Sequence, residues 1–278
     1  MKSFSFKMSG MNYSNTTIEE YVYEIWKEHD NTLNGWQDFF ENEDVRAEII
    51  QISNEIDKIV HESNPETIIY PPLEYVFYAF MLIPMDQIKV IILGQDPYHS
   101  NEGEAMGLAF SVPKNIRIPP SLANIYKVLQ ADGLITEKPK HGRITKWSKR
   151  GVFLINTALT VKAKNPNSHK KIWENFTKIL LNYLNENISE QQVAVLLWGS
   201  PAQKLGQIFS GILAENYDEK DPPNPITRGF YKIICTHPSP LSAYKASSSC
   251  ESFMKSKCFL SCNQYLLACN KSEINWKI

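Results

Sequence analysis

The stretch that decides the fold runs from Ile88 to Phe110 and is IKVIILGQDPYHSNEGEAMGLAF. It begins as an apolar run and continues into a polar segment, where a carboxylate, a proline, a tyrosine and a histidine occupy positions 96–99. An apolar run of this length without alternation is typical of a strand buried on both faces of a parallel sheet. The polar residues are then expected at the carboxyl end of that strand, where open α/β sheets bind their ligands.

Three further apolar runs have the same form, namely GVFLIN (151–156), VAVLLW (193–198) and YKIICT (231–236). They lead into Asn156, Gly199-Ser200 and His237-Pro238-Ser239, respectively. Helical periodicity is present in the segments VRAEIIQISNEIDKIVHE, PSLANIYKVLQ, WENFTKILLNYLNENI and CESFMKSKCFLSCNQYLLA. This pattern predicts a three-layer α/β/α sandwich with a central four-stranded, mainly parallel sheet, in which the four strand ends meet at one crevice.

The length and composition favour one globular domain with a tail. A chain of 278 residues with 43% hydrophobic content can bury a single core of the usual size. Residues 1–30 are acidic and polar with little periodicity, and we expect a disordered tail or a loosely docked helix there, followed by one domain over residues 31–278. No membrane-length apolar run or secretory signal is present, which predicts a soluble, intracellular protein but does not distinguish nucleus from cytoplasm.

The cysteines indicate whether disulfides or a metal site are expected, and the charges indicate what kind of surface the protein has. The five cysteines are an odd number, and we expect no disulfide; Cys258, Cys262 and Cys269 have the spacing of one helix face, so buried small residues are favoured over metal ligands. Residues 1–66 hold 14 acidic and 5 basic side chains, a net charge of -9, so the rest carries +8 against an overall charge of -1. Residues 141–171 contain eight Lys or Arg and no acid, as expected of a surface that binds phosphates or of a solvated basic face.

Five motifs occur in a fixed order, namely GQDPYH, PPSL (119–122), LIN ending at Asn156, LLWGS ending at Ser200, and HPSPLS (237–242). Together they resemble the family 1 uracil-DNA glycosylases over roughly residues 35–276. The resemblance implies an enzyme that hydrolyses the bond between uracil and deoxyribose in DNA, leaves an abasic site and initiates base excision repair without a cofactor or metal. It also implies single- and double-stranded uracil-containing DNA as substrates, a monomer, and a proteinaceous inhibitor that binds the DNA-binding face.

Asp96 and His237 are the candidate catalytic residues. Glycosidic cleavage forms a cation-like sugar and an anionic leaving base, so the site needs a carboxylate on one side and a hydrogen-bond donor on the other. By resemblance Asp96 stabilises the cation and orients the attacking water, and His237 donates a hydrogen bond to uracil O2. From the residues alone, Asp96 also suits the cap of a helix that has Pro97 at its first position.

The candidate base-binding residues are Gln95, Tyr98, Phe110 and Asn156. The side-chain amide of Asn156 matches uracil O4 and N3–H, whereas cytosine presents the opposite pattern. By resemblance Phe110 stacks on the base, Gln95 contributes a backbone contact and packing, and the Tyr98 ring lies against C5 and excludes the methyl group of thymine.

The candidate DNA-binding residues are Ser121, Ser200, Ser239 and Leu241. Flipping a nucleotide out of a duplex costs a few kcal/mol, which phosphate contacts and an apolar wedge recover. By resemblance the three serines grip phosphates and Leu241 is the wedge; without the resemblance, serines in proline-rich segments are turn residues.

The chain departs from the family in three places. The segment between Asp96 and Phe110 is one residue longer, with Met106 where histidine is common; the segment NSHKKIWENF is one residue shorter; and KASSSC replaces a turn that contains glycine.

Two alternative functions are compatible with the same fold. One is a mismatch glycosylase of broader base choice, against which Tyr98 argues. The other is a non-catalytic DNA-binding processivity subunit, against which Asp96 and His237 argue.

Overall fold

A central sheet of parallel strands organises the protein in a computed structural model that describes residues 13–27, 33–62, 67–100, 103–214, 218, 220, 223–225 and 228–278. The strands are β1 (Ile69–Tyr70), β2 (Val90–Gly94), β3 (Val152–Asn156), β4 (Val161–Lys162), β5 (Val193–Trp198), β6 (Gly211–Leu213) and β7 (Phe230–Cys235). The helices are α1 (Ile18–Glu20), α2 (Gln37–Phe40), α3 (Glu43–Glu62), α4 (Tyr78–Leu82), α5 (Pro120–Ala131), α6 (Thr145–Ser148), α7 (Glu174–Asn187), α8 (Ser200–Leu205) and α9 (Cys258–Ala268).

The order of the strands in the main sheet is β3-β2-β5-β7-β6, and every neighbouring pair is parallel. From β2 the chain passes to β3 on one side and later to β5 on the other side, so the direction of winding reverses beside β2. A crevice forms at the carboxyl ends of the strands where the winding reverses. The four strand ends identified in the sequence therefore lie along one edge of the sheet.

Within the described residues the sheet has five strands, so the prediction of four is corrected. The additional strand, β6, is only three residues long, is exposed at the sheet edge and runs parallel to β7. Its two large apolar residues, Ile212 and Leu213, are too few to form a run like those of the other four strands, and they are exposed rather than buried. β1 and β4 were also missed, because each contributes only two residues to a separate antiparallel pair.

Helices cover the sheet and complete the predicted three-layer sandwich. α9 packs on β5 and β7, α4 and α6 pack on β3, and α3 packs on α7. The first three predicted helical segments correspond to α3, α5 and α7. The fourth begins only at Cys258, because a 3-10 turn at Phe253–Lys255 and a left-handed Lys257 (φ 51°) precede it.

Part of the expected N-terminal tail is a docked helix. α1 begins after Thr17, whose side chain accepts a hydrogen bond from the Glu20 backbone while the Glu20 carboxylate accepts one from Thr17 N–H. The helix continues in π form over Tyr21–Trp26 and buries Val22 and Trp26 in the core. The docked-helix alternative therefore describes residues 13–27, whereas residues 1–12 and the predicted boundary between 30 and 31 lie outside the described residues.

The cysteine thiols concern the expectations about disulfides and metal ligands, and the lengths of the helices concern the expectation about membrane spans. All five cysteines are free; Cys258, Cys262 and Cys269 are buried, and burial raises the pKa of the Cys262 thiol. In the described part of the chain, no group of three or more His, Cys, Asp or Glu side chains could hold a metal ion. No helix among the described residues is long and apolar enough to cross a membrane.

Candidate active site

A cavity of about 200 Å³ lies at the carboxyl edge of the sheet, and side chains from several strand ends line it. It brings together both candidate catalytic residues, all four candidate base-binding residues and one candidate DNA-binding serine: Gln95, Asp96, Tyr98, Phe110, Ser121, Asn156 and His237. These residues are spread over much of the chain. Three of the four predicted strand ends, those of β2, β3 and β7, therefore converge on this cavity.

Asp96 lies two residues after the end of β2; it is partly exposed and lines the cavity. Its Oδ2 atom accepts a hydrogen bond of 2.8 Å from the backbone N–H of Asn167, which lies in the segment between β4 and α7. No helix begins in the described residues that follow it, up to Ser100, so the helix-cap alternative for Asp96 is wrong. The carboxylate is held by a loop donor and faces a cavity, which is the arrangement of a reactive group.

Gln95 connects β2 to the end of β3 and to the segment that contacts Asp96. Its backbone C=O accepts hydrogen bonds from Thr157 Oγ1 and from the Ala158 N–H, both at 2.9 Å. Its side-chain Nε2 donates to Asn167 Oδ1. Because both lone pairs of the C=O are used inside the protein, the backbone group that Gln95 can offer to a ligand is its N–H.

His237 lies two residues after β7 in a turn that fixes the orientation of its ring. The backbone N–H of Ser239 donates to His237 Nδ1 at 3.0 Å. Burial lowers the pKa of His237 below its usual value of 6.5. The imidazole is therefore neutral at pH 7 with Nδ1 as an acceptor, which places its proton on Nε2.

Asn156 ends β3 and lies across the last residue of the neighbouring strand. Gly94 pairs with Asn156 in the register of β2 and β3. A Cβ atom at position 94 would lie 2.1 Å from Asn156 Oδ1, so any residue other than glycine would displace the amide. Asn156 is buried among its neighbours and also lines the cavity, so its amide is available to a ligand bound there.

Tyr98 and Phe110 form an aromatic wall of the cavity and are connected to each other. The Tyr98 hydroxyl donates to the Phe110 backbone C=O at 3.3 Å, and burial raises the pKa of Tyr98. Phe110 has a left-handed backbone (φ 63°), which is rare for an aromatic residue. Its ring packs on Trp198 at 5.3 Å between centroids and lies 5.8 Å from the ring of His237.

A wider groove of about 800 Å³ opens next to the cavity and shares Gln95, Ser121 and His237 with it. Ser200, Ser239 and Leu241 line this groove, so it brings together all four candidate DNA-binding residues. Leu241 is 87% exposed. An apolar side chain that projects so far from the surface beside a cavity is able to enter a base stack.

The basic segment 141–171 is divided between the two edges of the sheet. Arg150 precedes β3 at the amino edge, and its guanidinium donates to the backbone carbonyls of Asn275 and Lys277. Lys164 lies on the cavity side, where its backbone N–H donates to the His99 C=O at 2.8 Å. The basic residues of the segment therefore do not form one continuous surface, and those around β4 are the ones on the cavity side.

Sequence reasoning missed two residues that shape the site, Gly94 and Asn167. His99, which the sequence analysis placed at the strand end without a specific role, also lines the cavity. Gly94 could have been noticed as the residue that replaces an apolar side chain at a strand end. Asn167 gave no signal, because its contact with Asp96 joins residues 71 positions apart.

The family departures have separate outcomes. Met106 is buried in the cavity wall, and the Ser111 hydroxyl lies 3.2 Å from its sulfur. Ser247, Ser248 and Ser249, from the replaced turn, line the groove. Residues 101 and 102, at the site of the longer loop, lie outside the described residues.

Known proteins of one family are similar to this chain over most of its length. Residues 80–267 match the model of the uracil DNA glycosylase superfamily. The chain is 38% identical over 244 residues to a uracil-DNA glycosylase of Francisella tularensis subsp. tularensis, a match that covers 87% of this chain and 98% of the relative.

Solved structures with the same fold include viral enzymes. The crystal structure of mimivirus uracil-DNA glycosylase matches with a TM-score of 0.74 and 29% identity, covering 96% of this chain and 98% of that one. A mimivirus UNG variant in complex with UGI matches with a TM-score of 0.75 and the same identity, covering 96% of this chain and 100% of that one.

Proposed function

The chain belongs to the uracil-DNA glycosylase superfamily and is a DNA N-glycosylase that removes uracil, and we propose that Asp96 and His237 carry out this reaction. Uracil flipped out of the DNA occupies the 200 Å³ cavity, with its glycosidic bond between the carboxylate and the imidazole. The bond breaks to give an abasic site and free uracil. Water supplies the hydroxyl group that ends on the sugar.

The observation that carries this proposal is the hydrogen bond from Ser239 N–H to His237 Nδ1. It leaves Nε2–H as the donor of a neutral imidazole, which is suited to stabilise the negative charge that develops on uracil O2 as the base leaves. On the sugar side, the Asp96 carboxylate stabilises the positive charge and orients the attacking water. No proton has to reach the ring of His237 from solvent before the reaction.

The base is selected by shape and by hydrogen bonds. The amide of Asn156, held by its position across Gly94, pairs with uracil O4 and N3–H and refuses cytosine. Phe110 stacks on the base, and the Gln95 N–H contributes a backbone contact. Tyr98, whose hydroxyl is bonded to the Phe110 backbone, forms a rigid wall against the C5 position.

Ser121, Ser200 and Ser239 bind phosphates along the groove, and Leu241 fills the space that the flipped nucleotide leaves. Both single- and double-stranded DNA fit a groove of this kind. We further propose that residues 31–278 form a monomeric catalytic domain, with residues 13–27 packed on it, and that the enzyme acts inside the cell.

A proteinaceous inhibitor is the second proposed partner. The relative in the mimivirus complex binds UGI, and the chains match over nearly their whole length. The exposed Leu241 beside an open groove offers an apolar projection that such a protein can enclose. Addition of UGI should therefore compete with DNA for this chain.

An assay for abasic sites in a uracil-containing oligonucleotide tests the assignment. We expect Asp96→Asn and His237→Leu each to lower the turnover about 10²- to 10³-fold with little loss of DNA binding, because both side chains act on charge that develops in the transition state. The matched controls are Asp57→Asn and His61→Leu, an exposed pair on α3.

Near-normal turnover in either active-site variant would contradict the proposed roles. A wild-type protein that binds DNA but produces no abasic sites would indicate the non-catalytic alternative, which no observation on this chain favours.

A further inference from the structure

The segment 163–169, between β4 and α7, contacts the carboxylate of Asp96. Within it, Asn167 has a left-handed backbone (φ 63°), and its N–H donates to Asp96 Oδ2 at 2.8 Å. Its side-chain Oδ1 accepts from Gln95 Nε2. We propose that Asn167 is a positioning residue for uracil excision, which acts through its backbone N–H on Asp96. This inference rests on the catalytic role proposed for Asp96.

The left-handed conformation is what directs the donor at the acid. Asparagine tolerates this region of backbone space, whereas a β-branched residue does not. A residue that adopts an ordinary backbone at position 167 would turn the N–H away from the carboxylate. Asparagine at position 167 is therefore important because it permits the left-handed backbone. Its side chain adds a second contact, with the side chain of Gln95.

The segment is anchored firmly on its far side. The Lys162 N–H donates to Ser168 Oγ at 2.8 Å, which closes the loop on itself. The next residue, His169, is 2% exposed, and its Nδ1 atom lies 2.9 Å from Thr160 Oγ1, which also accepts from Trp173 Nε1 at 2.7 Å. A donor held by buried neighbours stays in place while the substrate binds and reacts.

The hydrogen bond restricts the carboxylate to one orientation. Among the described residues, the Asn167 N–H is the donor placed on Asp96, and it occupies Oδ2. The other oxygen is then the one that faces the sugar and the attacking water. Because catalytic groups lose rate steeply when they are displaced by about 1 Å, loss of this donor should lower the rate of bond cleavage rather than the affinity for DNA.

The test compares three variants in single-turnover reactions on a uracil-containing oligonucleotide, with DNA affinity and melting temperature measured in parallel. Asn167→Val forbids the left-handed backbone, Asn167→Gly permits it but removes the contact with Gln95, and Asn270→Val is the matched control. Asn270 is an exposed asparagine with φ 57° that follows α9, next to Lys271, whose side chain donates to the Gln191 C=O just before β5, so it lies at the amino edge of the sheet.

We expect Asn167→Val to lower the cleavage rate about 10- to 100-fold with DNA affinity within about twofold, and Asn167→Gly to lower it several times less. The melting temperature of Asn167→Val should fall no further than that of Asn270→Val, whose cleavage rate stays at the wild-type value. In an Asp96→Ala background, Asn167→Val should change the residual rate by less than about twofold, because the group on which it acts is gone.

Three results would overturn the proposal. An equal rate loss from Asn167→Val in the presence and absence of the Asp96 carboxylate would mean that the residue acts elsewhere. Equal losses from the glycine and valine variants would exclude a role of the backbone conformation, and a loss confined to DNA affinity would assign Asn167 to binding. A wild-type rate in Asp96→Ala alone would instead refute the proposed function, which keeps the two failures distinguishable.

Discussion

The buried His169 makes a quantitative prediction about stability at acidic pH. Burial, followed by the charge of Lys162, lowers the pKa of His169 from 6.5 to about 4. Its Nε2 atom is buried with no partner among the described residues, so the protonated ring would carry an N–H that nothing accepts. The unfolded chain therefore binds a proton that the folded protein refuses between these two pH values.

The sign and the size follow from this difference in pKa. A folded-state pKa below the unfolded one gives a contribution to stability that is fully present above pH 6.5 and is lost as the pH falls toward 4. A pH of 5 is about 1.5 units below the unfolded-state pKa of His169, and each unit corresponds to about 1.36 kcal/mol. His169 alone should therefore lower the free energy of unfolding by about 2 kcal/mol relative to pH 7.

Urea denaturation of the wild type and of His169→Asn at pH 7 and pH 5 measures this contribution of His169 to the free energy of unfolding. Asparagine retains a polar atom near the position of Nδ1, so its packing cost is the same at both pH values and cancels in the double difference. We expect the wild type to lose about 2 kcal/mol more than the variant between the two pH values. Equal losses in the two proteins would refute the reasoning, because the ring would then titrate alike in both states.

Three further predictions concern the reaction and the DNA. Tyr98→Ala should gain measurable thymine excision while losing some uracil activity, because a soft apolar pocket discriminates one methyl group by only about 1–3 kcal/mol; a variant active on uracil but blind to thymine would move the exclusion elsewhere in the cavity wall. Activity should survive excess EDTA, and its loss on chelation with recovery on adding zinc or magnesium would contradict the mechanism. Affinity for duplex DNA should fall with salt by about 0.9 in log K per log salt for each phosphate bound, and a flat response would refute a phosphate-binding surface around Lys164.

The core of the fold and most of the cavity could be predicted from local patterns. The strands that end at Gly94, Asn156, Trp198 and Cys235 are buried on both faces, so their apolar runs stand out in the sequence. Because parallel strands present their carboxyl ends at one edge, Asp96, with the other polar residues that follow these strands, could be placed together without coordinates.

The features that could not be predicted depend on tertiary contacts or on exposure. β6 is exposed along its whole length, so burial left no pattern in it. The hydrogen bond between Asn167 and Asp96 depends on where β4 places a distant loop. The packing of Trp26 on Phe40, at 5.2 Å between ring centroids, makes part of an acidic N-terminal segment a docked helix although its periodicity is weak.

The order of strands in the sheet has a consequence for the newly made chain. β2 pairs with β3 and β5, but His237 comes only with β7, which pairs on the far side of β5. A chain in which β7 has not docked holds Asp96 and the base-binding amide of Asn156. It lacks His237 at the site, the donor to the leaving base. Contacts between segments that are distant in sequence generally form slowly, and the pairing of β7 with β5 joins Phe230 to Val193 across 37 residues. A molecule in which β7 has not docked would then leave uracil in DNA, and glycosylase activity would report that β7 has joined the sheet.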